Sequence, residues 1–464
     1  MPRARLAAPA AAGFELALDR VLARLGVPAA FPADVEAEAE AAARRRPPEL
    51  PDRTDLPFIS LDPPGSRDID QLLYLVTRGS GYRLYYAIAY LPWVVAPGGA
   101  VDAEARRRGQ TLYPPGRRVP LHPPVLSEGA ASLLADGVAR PAAVWQIDLD
   151  DAGAVTGASV ERALVRNRAQ LAYGEPHEQM ALVEVVGKLR QAQEAARGGV
   201  SLNVPEQTAE PTADGWRLAF RRPAAVELWN AQLSLLTGSV AARLMLDAGV
   251  GLLRTLPPAE PAAVDRLRRT AKALHIPWPK TAGYPEFVRS LDPAAPHGLA
   301  MLNACRRLFR GSGYRLVSEV AGDPEAQVHA AVALPYAHVT APLRRLVDRF
   351  TTEVCLAVTA GAAVPDWVLA GLPELPPIMA ESTAQGSQVE AAAINLLEAF
   401  VLQDRVGDEF EAVVTGYRDK THVTIQVADP AIEASVEGRL DLGATIQVRL
   451  VEANTAAGTV RFAV

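Results

Sequence analysis

Cysteine is nearly absent from this chain: Cys305 and Cys355 are the only two in 464 residues. Two cysteines make no disulfide framework, and this usage fits a reducing cytoplasm. Lysine is almost as scarce, limited to Lys188, Lys272, Lys280 and Lys420. Positive charge is therefore arginine, clustered at Arg44–Arg46, Arg106–Arg108, Arg117–Arg118, Arg306–Arg307 with Arg310, and Arg344–Arg345. Guanidinium suits planar, bidentate contact with phosphate, although a genome-wide compositional bias produces the same imbalance. No run of 18 or more apolar residues occurs, so no membrane span is implied. The opening MPRARLAAPAAAGFELAL mimics a signal peptide, but its apolar run is short and broken by Pro9 and Glu15. There is no G-x-x-x-x-G-K loop to hold a nucleoside triphosphate, no Cys/His spacing for zinc and no nucleophile elbow. A net charge of −6 and a pI of about 5.8 exclude a broadly basic DNA-coating protein. They leave room for a nucleic-acid enzyme whose positive charge is confined to a channel.

The length exceeds one ordinary core and suggests two to four domains. Apolar periodicity predicts helices over 13–26 and 31–46, the second with Asp34 as N-cap and arginines late. PPELP at 47–51 reads as a linker. From residue 57 short strands alternate with turns, YRLYYAIAYL (82–91) among them. Helices are predicted over 177–196, 224–249, 260–275, around 300–310, over 341–358 and over 386–405, with a loop and short helix at 365–377. The middle is therefore α+β. From Gly407 onward five alternating strands are joined by Gly, Asp, Asn or Pro turns. Five short strands fit an OB-type barrel, a common binder of single strands. A purely structural barrel is the alternative.

The densest chemical signal is FISLDPPGSRDIDQ (58–71). FISL reads as a strand ending at Asp62, and Pro63, Pro64 and Gly65 force a turn. Asp68 and Asp70, two apart, point the same way in extended backbone. Two like charges about 4 Å apart at an effective dielectric of ~20 repel by roughly 4 kcal/mol. A hard divalent cation with oxygen ligands offsets such repulsion, and Mg²⁺ is normally held by a few carboxylates plus substrate phosphate. Taken alone, the segment also reads as a solvated acidic loop.

Four blocks in order resemble the RNase II family, the processive 3′-to-5′ exoribonucleases with an RNB catalytic domain. They are DRTDLPFISLDPPGSRDIDQ (52–71), EARRRGQTLYPPGRRVPLHPPVLSEGAASL (104–133), RGGVSLNVPE (197–206) and YAHVTAPLRRLVDR (336–349). The terminal barrel is similar to that family's RNA-binding OB domain. The resemblance implies an N-terminal helical segment (1–50), an RNB domain (51–390) and an OB-fold domain (406–464). No N-terminal cold-shock barrels are expected. It implies Mg²⁺ or Mn²⁺ on Asp62, Asp68 and Asp70, with Arg344 gripping the scissile phosphate. It places Tyr113 and Tyr173 against the terminal bases, and the matched blocks add Arg117, His338 and Arg345 to the RNA-binding set. The implied partner is the 3′ end of single-stranded RNA, released as 5′-mononucleotides by a monomeric, cytoplasmic enzyme without a nucleotide cofactor.

The chain departs from the family pattern at several places. Gln71 stands where a second adjacent aspartate is usual. Ala87 and Tyr90 replace a His and an Asp. Ala231 or Gln232 replaces an acidic residue in NAQLSLLTG (230–238), and Leu202 replaces an aromatic. Leu346 and Thr351 or Thr352 replace a Tyr and a His. These changes motivate the alternative of a catalytically impaired RNB-type RNA-binding protein. A scaffold that uses the barrel to hold a partner is a third reading, which leaves the aspartates unexplained.

Overall fold

The computed structural model describes residues 4–6, 12–212, 215–309 and 311–464. Residues 1–3 and 7–11, which belong to the expected segment 1–50, lie outside it.

Six strands form the central sheet: β1 (Phe58–Asp62), β2 (Gln71–Arg78), β3 (Gly81–Ala89), β4 (Arg140–Leu149), β5 (Val155–Val165) and β6 (Asn167–Ala172). Their order is β5-β4-β3-β2-β1-β6. All neighbours are antiparallel except β1 and β6, which run parallel with Asp62 beside Ala172. Both faces are covered, so alternate side chains feed two cores. Leu73, Leu75, Leu84, Tyr86, Trp145 and Ile147 enter one core, while Leu72, Ala87, Ala89, Ala142 and Val144 enter the other.

The principal helices are α1 (Ala12–Arg24), α2 (Ala33–Ala43), α3 (Ala100–Arg108), α4 (Gln179–Ala196) and α5 (Ala225–Ala248), then α6 (Pro261–Ala273), α7 (Tyr284–Ser290), α8 (Pro296–Cys305), α9 (Leu346–Thr359) and α10 (Leu375–Leu402). Helices α4, α5 and α9 cover the first face; α2, α3 and the segment around 126–134 cover the second.

Three expectations need correction. Asp34, expected as an N-cap, lies inside the first turn of α2, which starts at Ala33 with Pro32 at the cap position. The helix expected over 341–358 begins only at Leu346, because Arg345 is extended (φ −135°, ψ 124°). The residues before it bond outward: the Ala341 N–H donates to Asp348 Oδ1 at 2.6 Å and the Leu343 N–H to Asp70 Oδ1 at 2.8 Å. The helix expected over 386–405 begins earlier, at Leu375, because Pro376 and Pro377 fall at its tolerated first positions. It runs unbroken through residue 390.

The chain ends in β7 (Glu409–Tyr417), β8 (His422–Val427), β9 (Ile432–Glu437), β10 (Thr445–Asn454) and β11 (Thr459–Ala463), in the order β9-β8-β7-β10-β11. Edge strands β9 and β11 approach each other and nearly close the barrel. The barrel core is shared: Phe410, Val448 and Phe462 pack with Phe14 and Leu18 of α1 and Leu396 and Leu397 of α10. Among the described residues no helix is long and apolar enough to cross a membrane.

Candidate active site

Asp62 closes β1, and the chain then turns over Pro63–Ser66. Gly65 takes φ 78°, and Ser66 Oγ donates to the Pro63 carbonyl at 2.8 Å. A second tie fixes the return. The Ile69 N–H donates to Ser132 Oγ at 2.8 Å, and that hydroxyl donates to the Arg67 carbonyl at 2.6 Å. Ile69 is fully buried, so Asp68 and Asp70 flank an apolar anchor, and their main chain is set by residues from the second sequence block.

Asp70 is buried, and each carboxylate oxygen accepts one hydrogen bond from far along the chain. Oδ1 accepts from the Leu343 N–H at 2.8 Å and Oδ2 from Arg344 Nε at 3.1 Å. Burial pushes its carboxyl up to about 7, against the pull of the Arg344 charge. Asp62 is pushed up to about 7 as well, by burial first, with Arg344 lowering it and the Asp68 charge raising it. The Arg344 side chain is 40% exposed, and beyond Asp70 its guanidinium makes no hydrogen bond among the described residues. It is placed to meet a phosphate with its remaining N–H groups.

Asp68 shares this field but is held differently. Tyr113 Oη donates to it at 3.1 Å, and Arg118 pairs with it while also pairing with Glu128. Among the described residues no group of three His, Cys, Asp or Glu side chains is arranged as a metal-ligand set. The donor chemistry nevertheless fits a divalent cation at Asp62 and Asp70. These are two desolvated carboxylates with one half-exposed guanidinium for compensation, and each oxygen keeps a free lone pair. Asp68 faces its own cation, Arg118.

The expected RNA-binding residues divide. Tyr113 and Tyr173 feel the acidic cluster, and burial raises both phenols, Tyr173 to about 12. Tyr173 follows β6, so the parallel pairing sets it beside Asp62, and Asn230 of α5 hydrogen-bonds it. Arg117 points away and pairs with Asp19 of α1. His338 shares a hydrogen bond with Tyr314 Oη at 2.7 Å, and burial holds it neutral, well below the usual imidazole range. Arg345 grips Asp348 with two hydrogen bonds at 2.9 and 2.8 Å. His338 and Arg345 thus brace the segment that carries Arg344. Gly238 admits this segment against α5: a Cβ there would lie 2.5 Å from the Ala337 carbonyl oxygen.

Several site residues were not singled out from sequence: Arg118, Asn230, Tyr86, Thr340 and the Leu343 N–H. Arg118 sat in a noted cluster beside Arg117 and Asn230 in a quoted block, but nothing local distinguished them. Two departures from the family pattern are absorbed structurally. Tyr90 Oη accepts from Arg162 Nε at 2.8 Å, and Arg162 pairs with the buried Glu353 at 2.7 Å. Gln232 is buried and donates to Glu194 of α4.

Comparison with known proteins agrees with this geometry. Residues 51–358 match the RNB domain, and residues 408–464 match the RNase II-type exonuclease C-terminal S1 domain. Ribonuclease R of Escherichia coli is 28% identical over 375 residues, covering 72% of this chain and 44% of that protein. The chain thus spans less than half the length of that relative. Mycoplasma genitalium RNase R in complex with ribose-methylated single-stranded RNA superposes with a TM-score of 0.86 at 17% identity, covering 98% of this chain and 78% of that one. Yeast Ssd1, described as a pseudonuclease, superposes at 0.70 with 15% identity over 94% of this chain and 58% of that one. With the RNB domain matched across most of its length and an S1-type barrel after it, the chain belongs to the RNase II family.

Proposed function

We propose that the chain is a 3′-to-5′ hydrolytic exoribonuclease that takes single-stranded RNA 3′ end first and releases 5′-mononucleotides. The observation that carries this reading is the convergence on Asp70 of the Leu343 N–H and the Arg344 guanidinium, with the half-buried Asp62 carboxylate in the field of the same guanidinium. Similarity to Ribonuclease R and to an RNA-bound RNase R structure supports it.

Asp62 and Asp70 would hold the divalent cation, Mg²⁺ or Mn²⁺, with Asp68 completing the acidic field. Such a cation, when bound, lowers the pKa of water and offsets charge at phosphate. Arg344 orients the scissile phosphate and stabilises the charge that develops on its oxygens. Tyr113 and Tyr173 flank the carboxylates and offer faces on which terminal bases stack. Water adds across one P–O bond, leaving the phosphate on the departing nucleotide and a 3′-hydroxyl on the shortened strand.

The C-terminal barrel would hold the upstream strand. A cleft of about 1110 Å³ runs between α6, α8 and the barrel. Arg266, Arg269 and Arg418 line it with the exposed Tyr417, and these three arginines make no ion pair among the described residues. The expected catalytic domain, 51–390, would end inside α10, so we assign α10 as the bridge from that domain to the barrel domain at 406–464, in a monomer.

The impaired RNA-binding reading is favoured by one observation, the capture of Asp68 by Arg118 and Tyr113. A 5′-labelled single-stranded RNA, incubated with the protein and Mg²⁺ or Mn²⁺ beside Asp70→Asn, separates the two. A ladder shortening from the 3′ end, absent in the variant, supports the nuclease. Binding without shortening in either metal supports the alternative.

A further inference from the structure

Gln71 immediately follows Asp70, at the position where the family usually carries a carboxylate, and both the nitrogen and the oxygen of its amide are engaged. Gln71 Nε2 donates to the Thr340 carbonyl at 2.6 Å, and the buried Tyr86 hydroxyl donates to Gln71 Oε1. Thr340 is itself buried, with its Oγ1 2.9 Å from Ser234 Oγ of α5. Three residues further on come Leu343 and Arg344, the two donors to Asp70. Asp70, just before β2, and Gln71, its first residue, therefore grip the same distant segment at two points.

We propose that Gln71 is a positioning residue: its amide latches segment 337–345 to the central sheet and thereby sets Arg344 and the Leu343 N–H over Asp70. The role rests on the nuclease reading and adds to it a device in which a neutral amide replaces an acidic side chain. The chemistry demands an amide. Gln71 accepts from a phenol and donates to a carbonyl at once, and a side-chain amide does both from separate atoms without a change of protonation. An ionised carboxylate accepts only, so Asp or Glu at 71 would set two acceptors against each other at Thr340. Asp is also one methylene shorter. Other ties reach the segment from elsewhere: Asp348 on α9 holds Ala341 and Arg345, the Thr111 N–H donates to the Arg344 carbonyl at 2.9 Å, and the Ala337 N–H donates to the Gly238 carbonyl of α5 at 3.0 Å. Gln71 with Tyr86 is the latch on the sheet side, where Asp62 and Asp70 sit.

The test compares Gln71→Met, Gln71→Asp and Tyr86→Phe with the wild type. It uses single-turnover cleavage of a labelled single-stranded RNA in Mn²⁺, the Kd for the same RNA without metal, and backbone hydrogen exchange over 337–345. A displaced Arg344 should lower the single-turnover rate by about 10- to 100-fold in Gln71→Met with Kd within about 2-fold, because misplacement by an ångström costs rate rather than affinity. Tyr86→Phe keeps the ring and serves as the second probe if Gln71→Met fails to fold; it should lose about 3- to 10-fold, the worth of one hydrogen bond. The double variant should fall short of the product of the singles, because both act through one contact. Exchange over 337–345 should be faster in every variant. Wild-type rates in both Gln71→Met and Tyr86→Phe, or a Gln71→Asp variant faster than the wild type, would overturn the latch; the latter would mark position 71 as a ligand position instead. A wild type that cleaves nothing defeats the nuclease reading separately. Exchange alone then decides the latch, upheld if Gln71→Met opens the segment and overturned if it does not.

Discussion

The Asp70 carboxylate and the Arg344 guanidinium, 274 positions apart, meet at 3.1 Å between Oδ2 and Nε. Asp70 is sealed from water while Arg344 stays 40% exposed. Replacing Asp70 by Asn removes the charge that would hold a cation but retains an acceptor for the Leu343 N–H. Cleavage should fall by about 10³-fold or more, on the scale of losing a principal electrostatic group, with RNA affinity nearly unchanged. Filter binding beside the cleavage assay checks both. A large loss of affinity would assign Asp70 a structural role.

Proton competition at the same carboxylates gives a second expectation. Asp62 and Asp70 are raised to about 7 by burial, so in the metal-free protein they hold protons below that pH and must release them to bind a cation. Mn²⁺ affinity, read by titration calorimetry, should rise steeply between pH 6 and pH 8. Chelation should abolish cleavage. Asp62→Asn should weaken Mn²⁺ binding and flatten its pH dependence; an unchanged profile would remove Asp62 from the cation site.

Glu398 on α10 makes a similar argument for stability, away from the site. It is buried, accepts from Gln207 Nε2 at 2.9 Å and lies near the charge of Glu433 on the barrel. Burial raises its carboxyl from 4.5 to about 8. The native state therefore keeps a proton that the unfolded chain releases, and stability declines as pH rises from about 4.5 to about 8, by at most ~1.4 kcal/mol per pH unit. Glu398→Gln keeps an acceptor for Gln207 and cannot ionise. The variant should melt higher than the wild type at pH 8.5 and nearly alike at pH 5. Parallel melting curves across that range would show that Glu398 does not titrate with folding.

Much of this arrangement was legible in the sequence, for physical reasons. FISL and the run Pro63–Gly65 specify a strand and a turn locally, so Asp62, Asp68 and Asp70 were found where the chain bends. The barrel strands were equally readable, since period-two alternation and turn residues carry their own signal. Long-range bonds were not. APLRR looks helical by composition, yet Asp348 and Asp70 claim the Ala341 and Leu343 N–H groups, and the segment makes a turn closed on the Ala341 carbonyl before Arg345 extends. Asp68 was expected to turn with Asp70 toward a cation, but Arg118 and Tyr113, some 45 to 50 positions on, take it instead. Arg117 was expected on RNA, and Asp19 of α1 binds it. Gln71 read as a lost ligand because its partners, Thr340 and Tyr86, are assembled only by the fold.

The cleft beside the barrel yields the last prediction. Deleting 406–464 is a poor probe, because α1 and α10 share the barrel core and would expose Phe14, Leu396 and Leu397. Replacing Arg266, Arg269 and Arg418 by Ala leaves that core intact. If the three contact phosphates, the slope of log K against log salt for single-stranded RNA should shrink by about 2, since each contact contributes roughly 0.7. A long RNA should lose affinity and processivity, while a short oligonucleotide that fills only the Asp70–Arg344 end should be cleaved at the wild-type rate. An unchanged salt slope would place the upstream strand elsewhere on the surface. Equal losses on long and short RNA would place the three arginines on the path to the reacting phosphate itself.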